Sequence, residues 1–349
     1  VTRRGPAGAT HVLLACLAAA GGPLAAEPDG QPAPALAPLL AENDGKPIAS
    51  REGWTRHREE LRRRWLDLLG SLPAQRVPLA PRVLASEDLP RFTRKHVEYQ
   101  IEDGVVTDAY LLLPRDARGK LPAVAVFHQT VATHARQPAG IDTANPELAI
   151  GVHLAECGYA VLCPRCFIFA EGAGYAEHVK KALERHPGWT GMARMTLDAI
   201  RAADYLESLP EVDAKRIGCI GHSLGAKEVL YAAAFDERYR AAVFSEGGIG
   251  LRFSNWEAPW YLGEAIQKPG FALEHHQVLS LIAPRAFLLL GGGSADGEKS
   301  RPFVEAARPV WKLLGKEEDL QFLDHGEGHR YPPRARAAAE QFLDRLLKH

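Results

Sequence analysis

The 349-residue chain lacks an excess of either charge: 42 Lys and Arg stand against 43 Asp and Glu, a formal charge of −1. Polyanion binding needs a concentrated basic surface, so this balance argues against a nucleic-acid partner. No long Ser/Gly or acidic tract divides the chain, and no internal repeat is present. One large domain is therefore expected, since α/β units often exceed the usual domain size. A second C-x-x-C beside Cys163-Pro-Arg-Cys166 is absent, as is a thioredoxin-like beginning, which leaves a redox or zinc role unsupported. Cys157, Cys163, Cys166 and Cys219 are read instead as buried or locally bridged residues beside a sheet. What the chain does have is ordinary globular composition, 46% hydrophobic and 24% charged, which excludes a mainly disordered or collagen-like polymer.

The N-terminus departs from that average. Arg3 and Arg4 precede an apolar run, residues 12–20, followed by small residues up to Ala26. This charged, apolar, small order is that of a secretory signal peptide, with cleavage expected after Ala26. The run is shorter than the roughly 20 residues that span a bilayer, so no stable membrane span is expected. Cys16 gives a loose likeness to a lipoprotein acylation site, and the Arg pair a loose likeness to twin-arginine export. Removal of residues 1–26 leaves a charge of −3.

Residues 27–45, rich in Pro and Ala, read as a tether, and 46–94 as a helical extension. Within it, Leu61, Trp65, Leu68 and Leu69 recur at helical steps over residues 54–69. From residue 95 to the end the chain reads as the catalytic domain. Alternating residues 96–101 and 105–113 make an antiparallel hairpin. Four short apolar runs follow, 123–127, 159–162, 217–220 and 241–244, with helix-like segments 148–157, 196–208 and 224–235 between them. Later strands are expected at 286–290 and 320–323. Buried parallel strands look like this, so the expectation is a mostly parallel central sheet with helices on both faces.

Gly221-His222-Ser223-Leu224-Gly225 lies between the 217–220 strand and the 224–235 helix. G-x-S-x-G in that setting places Ser223 on a strained turn as a nucleophile, with the N–H of Leu224 at the helix start facing a developing oxyanion. A second oxyanion donor is expected from the loop at Gln129 or Thr130, which His128 would order. A base should follow near the C-terminus. His329 is the candidate, carried by a loop that Gly326 and Gly328 make pliable, with His325 as the alternative. For the acid there are two candidates. Asp296, from the glycine-rich loop after the 286–290 strand, is favoured by the chain order Ser223, Asp296, His329; Glu246 ends the preceding strand.

These residues resemble an α/β-hydrolase of the dienelactone-hydrolase and acetylxylan-esterase type, within it the branch that includes glucuronoyl esterases. Carrying the resemblance are Gly221-His222-Ser223-Leu224-Gly225-Ala226-Lys227, Ala234-Phe235-Asp236-Glu237-Arg238 and Ser245-Glu246-Gly247-Gly248. His276 and Leu281-Ile282-Ala283-Pro284-Arg285 extend it. The resemblance implies that Glu246 stands where glucuronoyl esterases carry their catalytic acid and that Lys227 helps hold sugar hydroxyls. Two positions depart from that branch: Leu224 stands where an arginine follows the nucleophile, and His222 where cysteine is usual.

The expectation is an exported serine esterase without cofactor or metal, acting on a small-molecule or oligosaccharide ester, with no oligomeric state implied. Trp256 and Trp260 are candidates for a sugar platform or for core packing. A peptidase of the prolyl-oligopeptidase-related type and a non-catalytic binding protein on the same fold are the alternatives.

Overall fold

The computed structural model describes residues 36–42, 44–115, 118–170 and 174–349. The expected export segment and Cys16 lie outside them. The described part of the expected tether is packed rather than free: Leu39 is buried in the core, and His276 Nε2 donates to Ala37 O at 3.0 Å. Helix α1 (Arg51–Leu69) begins where the Ser50 hydroxyl accepts from the Gly53 N–H at 3.1 Å, and it buries Trp54, Leu61, Trp65 and Leu69. Each fully buried leucine of that stripe contributes roughly 2 kcal/mol.

The sheet then opens with β1 (Arg82–Asp88), β2 (Phe92–Glu102) and β3 (Val105–Pro114), joined antiparallel. The catalytic-domain boundary expected at residue 95 thus falls inside β2, and the extension ends in a strand. β1 escapes the sequence pattern because it is the outermost strand, exposed on both faces, and shows no alternation of burial. The remaining elements alternate: β4 (Leu121–Phe127), α2 (Ile150–Glu156), β5 (Ala160–Pro164), α3 (Tyr175–Arg185), α4 (Gly191–Ser208), β6 (Val212–His222), α5 (Leu224–Phe235) and β7 (Tyr239–Ser245). They continue through the single turn α6 (Pro259–Leu262), α7 (His275–Ile282), β8 (Ala286–Gly291), α8 (Arg301–Leu313), β9 (Leu320–Asp324) and α9 (Pro333–Leu347).

The sheet order is β1-β2-β3-β5-β4-β6-β7-β8-β9. From β5 to β9 every neighbouring pair is parallel. Successive residues of β4 feed opposite cores: Ala123, Ala125 and Phe127 join the one that holds α1, α4, α5, α7 and α8, while Val124 and Val126 join the one that holds α2 and α9. Helices therefore cover both faces, which is why the central strands read as unbroken apolar runs. In the ladder, Phe127 pairs with Gly221, His222 with Ser245, Ser245 with Leu290 and Gly291 with Asp324. The carboxyl ends of five strands thus stand side by side, where α/β sheets of this kind bind ligands.

Candidate active site

Ser223 sits between β6 and α5 with φ 58 and ψ −116, a left-handed region that a residue with a Cβ rarely adopts. Its N–H donates to Ser245 O at 2.8 Å, which pins the turn to β7. Two glycines permit the turn. A Cβ on Gly221 would lie 2.3 Å from the backbone of Gly225, and one on Gly225 would lie 2.0 Å from Phe127 O. The second contact seats the start of α5 directly on the end of β4, so that the loop carrying Gln129 and Thr130 begins beside the nucleophile. Bonding to the Ser223 carbonyl starts with the N–H of Ala226 (3.1 Å) and Lys227 (3.2 Å), leaving Leu224 in the first turn, where N–H groups have no intrahelical acceptor. All twelve residues of α5 are buried.

His128 closes β4 and is held on both ring nitrogens. Its Nε2 accepts from the Cys166 N–H at 3.0 Å, so Nδ1 carries the proton and donates to Gln129 O at 2.7 Å. Burial pushes its pKa down to about 4 and so keeps it neutral. Gln129 Nε2 also donates to Gln137 Oε1 at 3.0 Å, fixing the loop from its side chain. Cys166, half of the C-x-x-C pair, thus serves the loop through its backbone, and all four cysteines among the described residues are free thiols.

His329 Nδ1 lies 3.1 Å from Glu246 Oε2. The same ring is 4.9 Å, centroid to centroid, from His222, the residue preceding the serine. His222 itself is buried, with Nδ1 3.0 Å from Ser245 Oγ. Glu246 has φ 53 and is buried. Its carboxylate accepts from the N–H groups of Gly292, Ala295 (2.8 Å) and Asp296 (3.4 Å). Gly292 O in turn accepts from the Gly328 N–H at 2.7 Å, so one residue links the Glu246 carboxylate to the residue before His329.

Asp296, expected to orient the imidazole, does not meet it. It is fully buried and accepts from Gly248 N–H (2.6 Å), Ile249 N–H (2.8 Å) and the Ser300 hydroxyl (2.7 Å). Burial and the neighbouring Glu246 charge push its pKa up to about 6. The glycine-rich loop brings backbone amides to Glu246 rather than a carboxylate to His329, and sequence reasoning passed over those amides because any residue type supplies one. His325, the alternative base, is buried, and its Nδ1 accepts from the Glu327 N–H at 3.1 Å.

The two candidate sugar contacts, Trp256 and Lys227, are both buried. Trp256 is completely buried, donates from Nε1 to Gly248 O at 2.7 Å and packs on His275 with 4.5 Å between centroids. Its ring is part of the core, with no face open as a platform. Lys227 is 3% exposed, and its Nζ sits 3.8 Å above the Trp256 ring with no hydrogen-bond partner. Burial lowers its pKa to about 7. Trp260 is half-buried and stacks on Tyr261 at 3.9 Å. At the rim, Arg330 pairs in fork geometry with Glu147, tying the histidine loop to the segment after β4. The other motif residues are structural: Asp236 binds Arg238, and Arg285 Nη1 donates to Tyr239 O at 3.0 Å. Among the described residues, no group of three or more His, Cys, Asp or Glu side chains is arranged to hold a metal ion, and no helix is long and apolar enough to cross a membrane.

A serine on a strand-to-helix elbow, with a histidine and a carboxylate from two later strand ends of a mostly parallel sheet, defines the α/β-hydrolase class. Residues 107–269, a little under half of the chain, match the model of the dienelactone hydrolase family. The protein YtaP of Bacillus subtilis (strain 168), described as a hydrolase, is 28% identical over 253 residues, covering 67% of this chain and 80% of that protein. The 4-O-methyl-glucuronoyl methylesterase 1 of Sodiomyces alcalophilus is 26% identical over 157 residues, 36% of this chain and 31% of that protein. Among solved structures, the glucuronoyl esterase from Solibacter usitatus matches with a TM-score of 0.75 at 21% identity, covering 90% of this chain and 98% of that one, a likeness of fold.

Proposed function

We propose that this protein is a serine esterase that cleaves carboxylic esters of carbohydrates, with Ser223, His329 and Glu246 as its triad. The observation that carries the reading is the Glu246–His329 contact set beside a serine held in a left-handed elbow. Ser223 Oγ attacks the ester carbonyl while His329 Nε2 takes its proton, and Glu246 stabilises the resulting imidazolium through Nδ1–H. The N–H of Leu224 and an amide of the Gln129–Thr130 loop receive the oxyanion. His329 then protonates the departing alcohol, and water, deprotonated by the same ring, releases the acid from Ser223. The carbohydrate part of the reading is supported by the glucuronoyl methylesterase and glucuronoyl esterase names among the similar proteins. Export is inferred from the charged, apolar, small order of residues 1–26.

The test is Ser223→Ala in the full chain, assayed on an aryl acetate, acetylated xylan and a glucuronate methyl ester. Hydrolysis of every ester that the parent cleaves is expected to vanish while circular dichroism stays unchanged. Full residual activity in the variant would overturn the assignment.

A further inference from the structure

Two buried carboxylates stand at the ends of adjacent strands, and only one touches the base. Glu246, at the end of β7, accepts amides from residues 292, 295 and 296, all after β8. Asp296, after β8, accepts amides from residues 248 and 249, both just after Glu246. Each loop therefore anchors the carboxylate of the other, and Ser300 closes the set by donating to Asp296 Oδ1 at 2.7 Å. This exchange matters because Glu246 has φ 53, a conformation that persists only when its surroundings hold it. The amides that Asp296 fixes are two and three residues past that strained turn.

Resting on the triad reading above, we infer that Asp296 is a positioning residue: its carboxylate fixes the turn that aims Glu246 at His329 Nδ1, and so sets the tautomer and tilt of the base. Asp296→Asn keeps the shape but turns one acceptor into an NH2. That group must face Gly248 N–H on one side, or Ile249 N–H and the Ser300 hydroxyl on the other. Donor then meets donor, and the segment that carries Glu246 shifts.

The experiment is a double-mutant cycle in the full chain, with aryl acetate hydrolysis and the imidazole nitrogen resonances of His329 as readouts. Asp296→Asn is expected to lower kcat about 10- to 100-fold with KM nearly unchanged, as a misaligned base does. It is also expected to weaken the Nδ1–H signal of His329. In a Glu246→Gln background the same substitution is expected to cost less than about threefold more, because both changes act on one contact. Ser300→Ala, which removes one hydrogen bond and leaves the carboxylate, is expected to cost a few-fold and keeps the question answerable should Asp296→Asn fold poorly. Losses that multiply in the double variant, or an unchanged kcat and His329 resonance in Asp296→Asn and Ser300→Ala, would overturn the inference, since a merely structural acid lowers stability without depending on Glu246. Failure of the triad reading shows separately, as activity retained in Ser223→Ala.

Discussion

Replacing Glu246 with glutamine removes one charge and one acceptor from a site that uses both oxygens. Oε1 accepts from Gly292 and Asp296, and Oε2 from Ala295 at 2.8 Å and His329 at 3.1 Å. A glutamine has a single oxygen. If it faces Gly292, the NH2 points at Ala295 N–H and at His329 Nδ1, which must then accept. The ring proton moves to Nε2, the atom that has to receive the serine proton, and the base is in the wrong tautomer. If the amide turns over, the NH2 opposes Gly292, whose carbonyl holds Gly328, and the histidine loop is displaced. An unmatched buried donor costs about 1–3 kcal/mol. Amide substitution of a triad acid lowers kcat about 10,000-fold, close to 5 kcal/mol of transition-state stabilisation. Glu246→Gln is therefore expected to reduce kcat/KM for an aryl acetate by three to four orders of magnitude with the fold retained, read from initial rates and circular dichroism. A loss below about tenfold, alongside a larger loss in Asp296→Asn, would refute the assignment and return the role to Asp296.

Lys227 and Trp256 give two further tests. Lys227 is charged in the unfolded chain below its ordinary 10.5 and neutral in the fold down to about 7, so its burial destabilises increasingly as pH falls from 10.5 to 7 and levels off below. The drop corresponds to at most about 5 kcal/mol, so Lys227→Met should raise the urea midpoint, most at pH 7 and progressively less towards pH 10. An equal gain at both pH values would contradict the burial argument. Trp256→Ala should lower the unfolding free energy by about 3–5 kcal/mol in urea melts, as removal of a large core side chain does. A raised KM for oligosaccharide esters at undiminished stability would instead restore the platform reading.

Much of the fold was legible because strands buried on both faces leave short unbroken apolar runs, and residues 123–127, 217–220 and 241–244 all became central strands. β1 was not legible, since Val83, at 60% exposed, has no buried face to impose a period. Leu39 was hidden in a Pro/Ala stretch for the opposite reason: one apolar residue can be buried without any pattern around it. At the site, the G-x-S-x-G spacing carries its own steric logic and located Ser223. The choice between Asp296 and Glu246 rested on chain order, which is satisfied by either residue. What separates them is the contact with His329 and the positive φ at Glu246 that aims its carboxylate, neither of which leaves a mark on side-chain identity. Lys227 was expected at sugar hydroxyls because it matches a lysine of the resembled motif, and that match says nothing about a tryptophan face lying 3.8 Å beneath its Nζ.

Every residue of α5 is buried. A helix carries about half a positive elementary charge at its N-terminus, an effect that solvent and mobile ions ordinarily damp within one turn. Here twelve buried residues keep solvent and ions from the flanks of the helix, so its field is damped less at Ser223 than at the end of a surface helix. The Arg330–Glu147 pair, half-open to solvent on its arginine side, has no such shelter and loosens as salt rises. Ionic strength therefore acts more strongly on the doorway of this site than on the helix behind its serine.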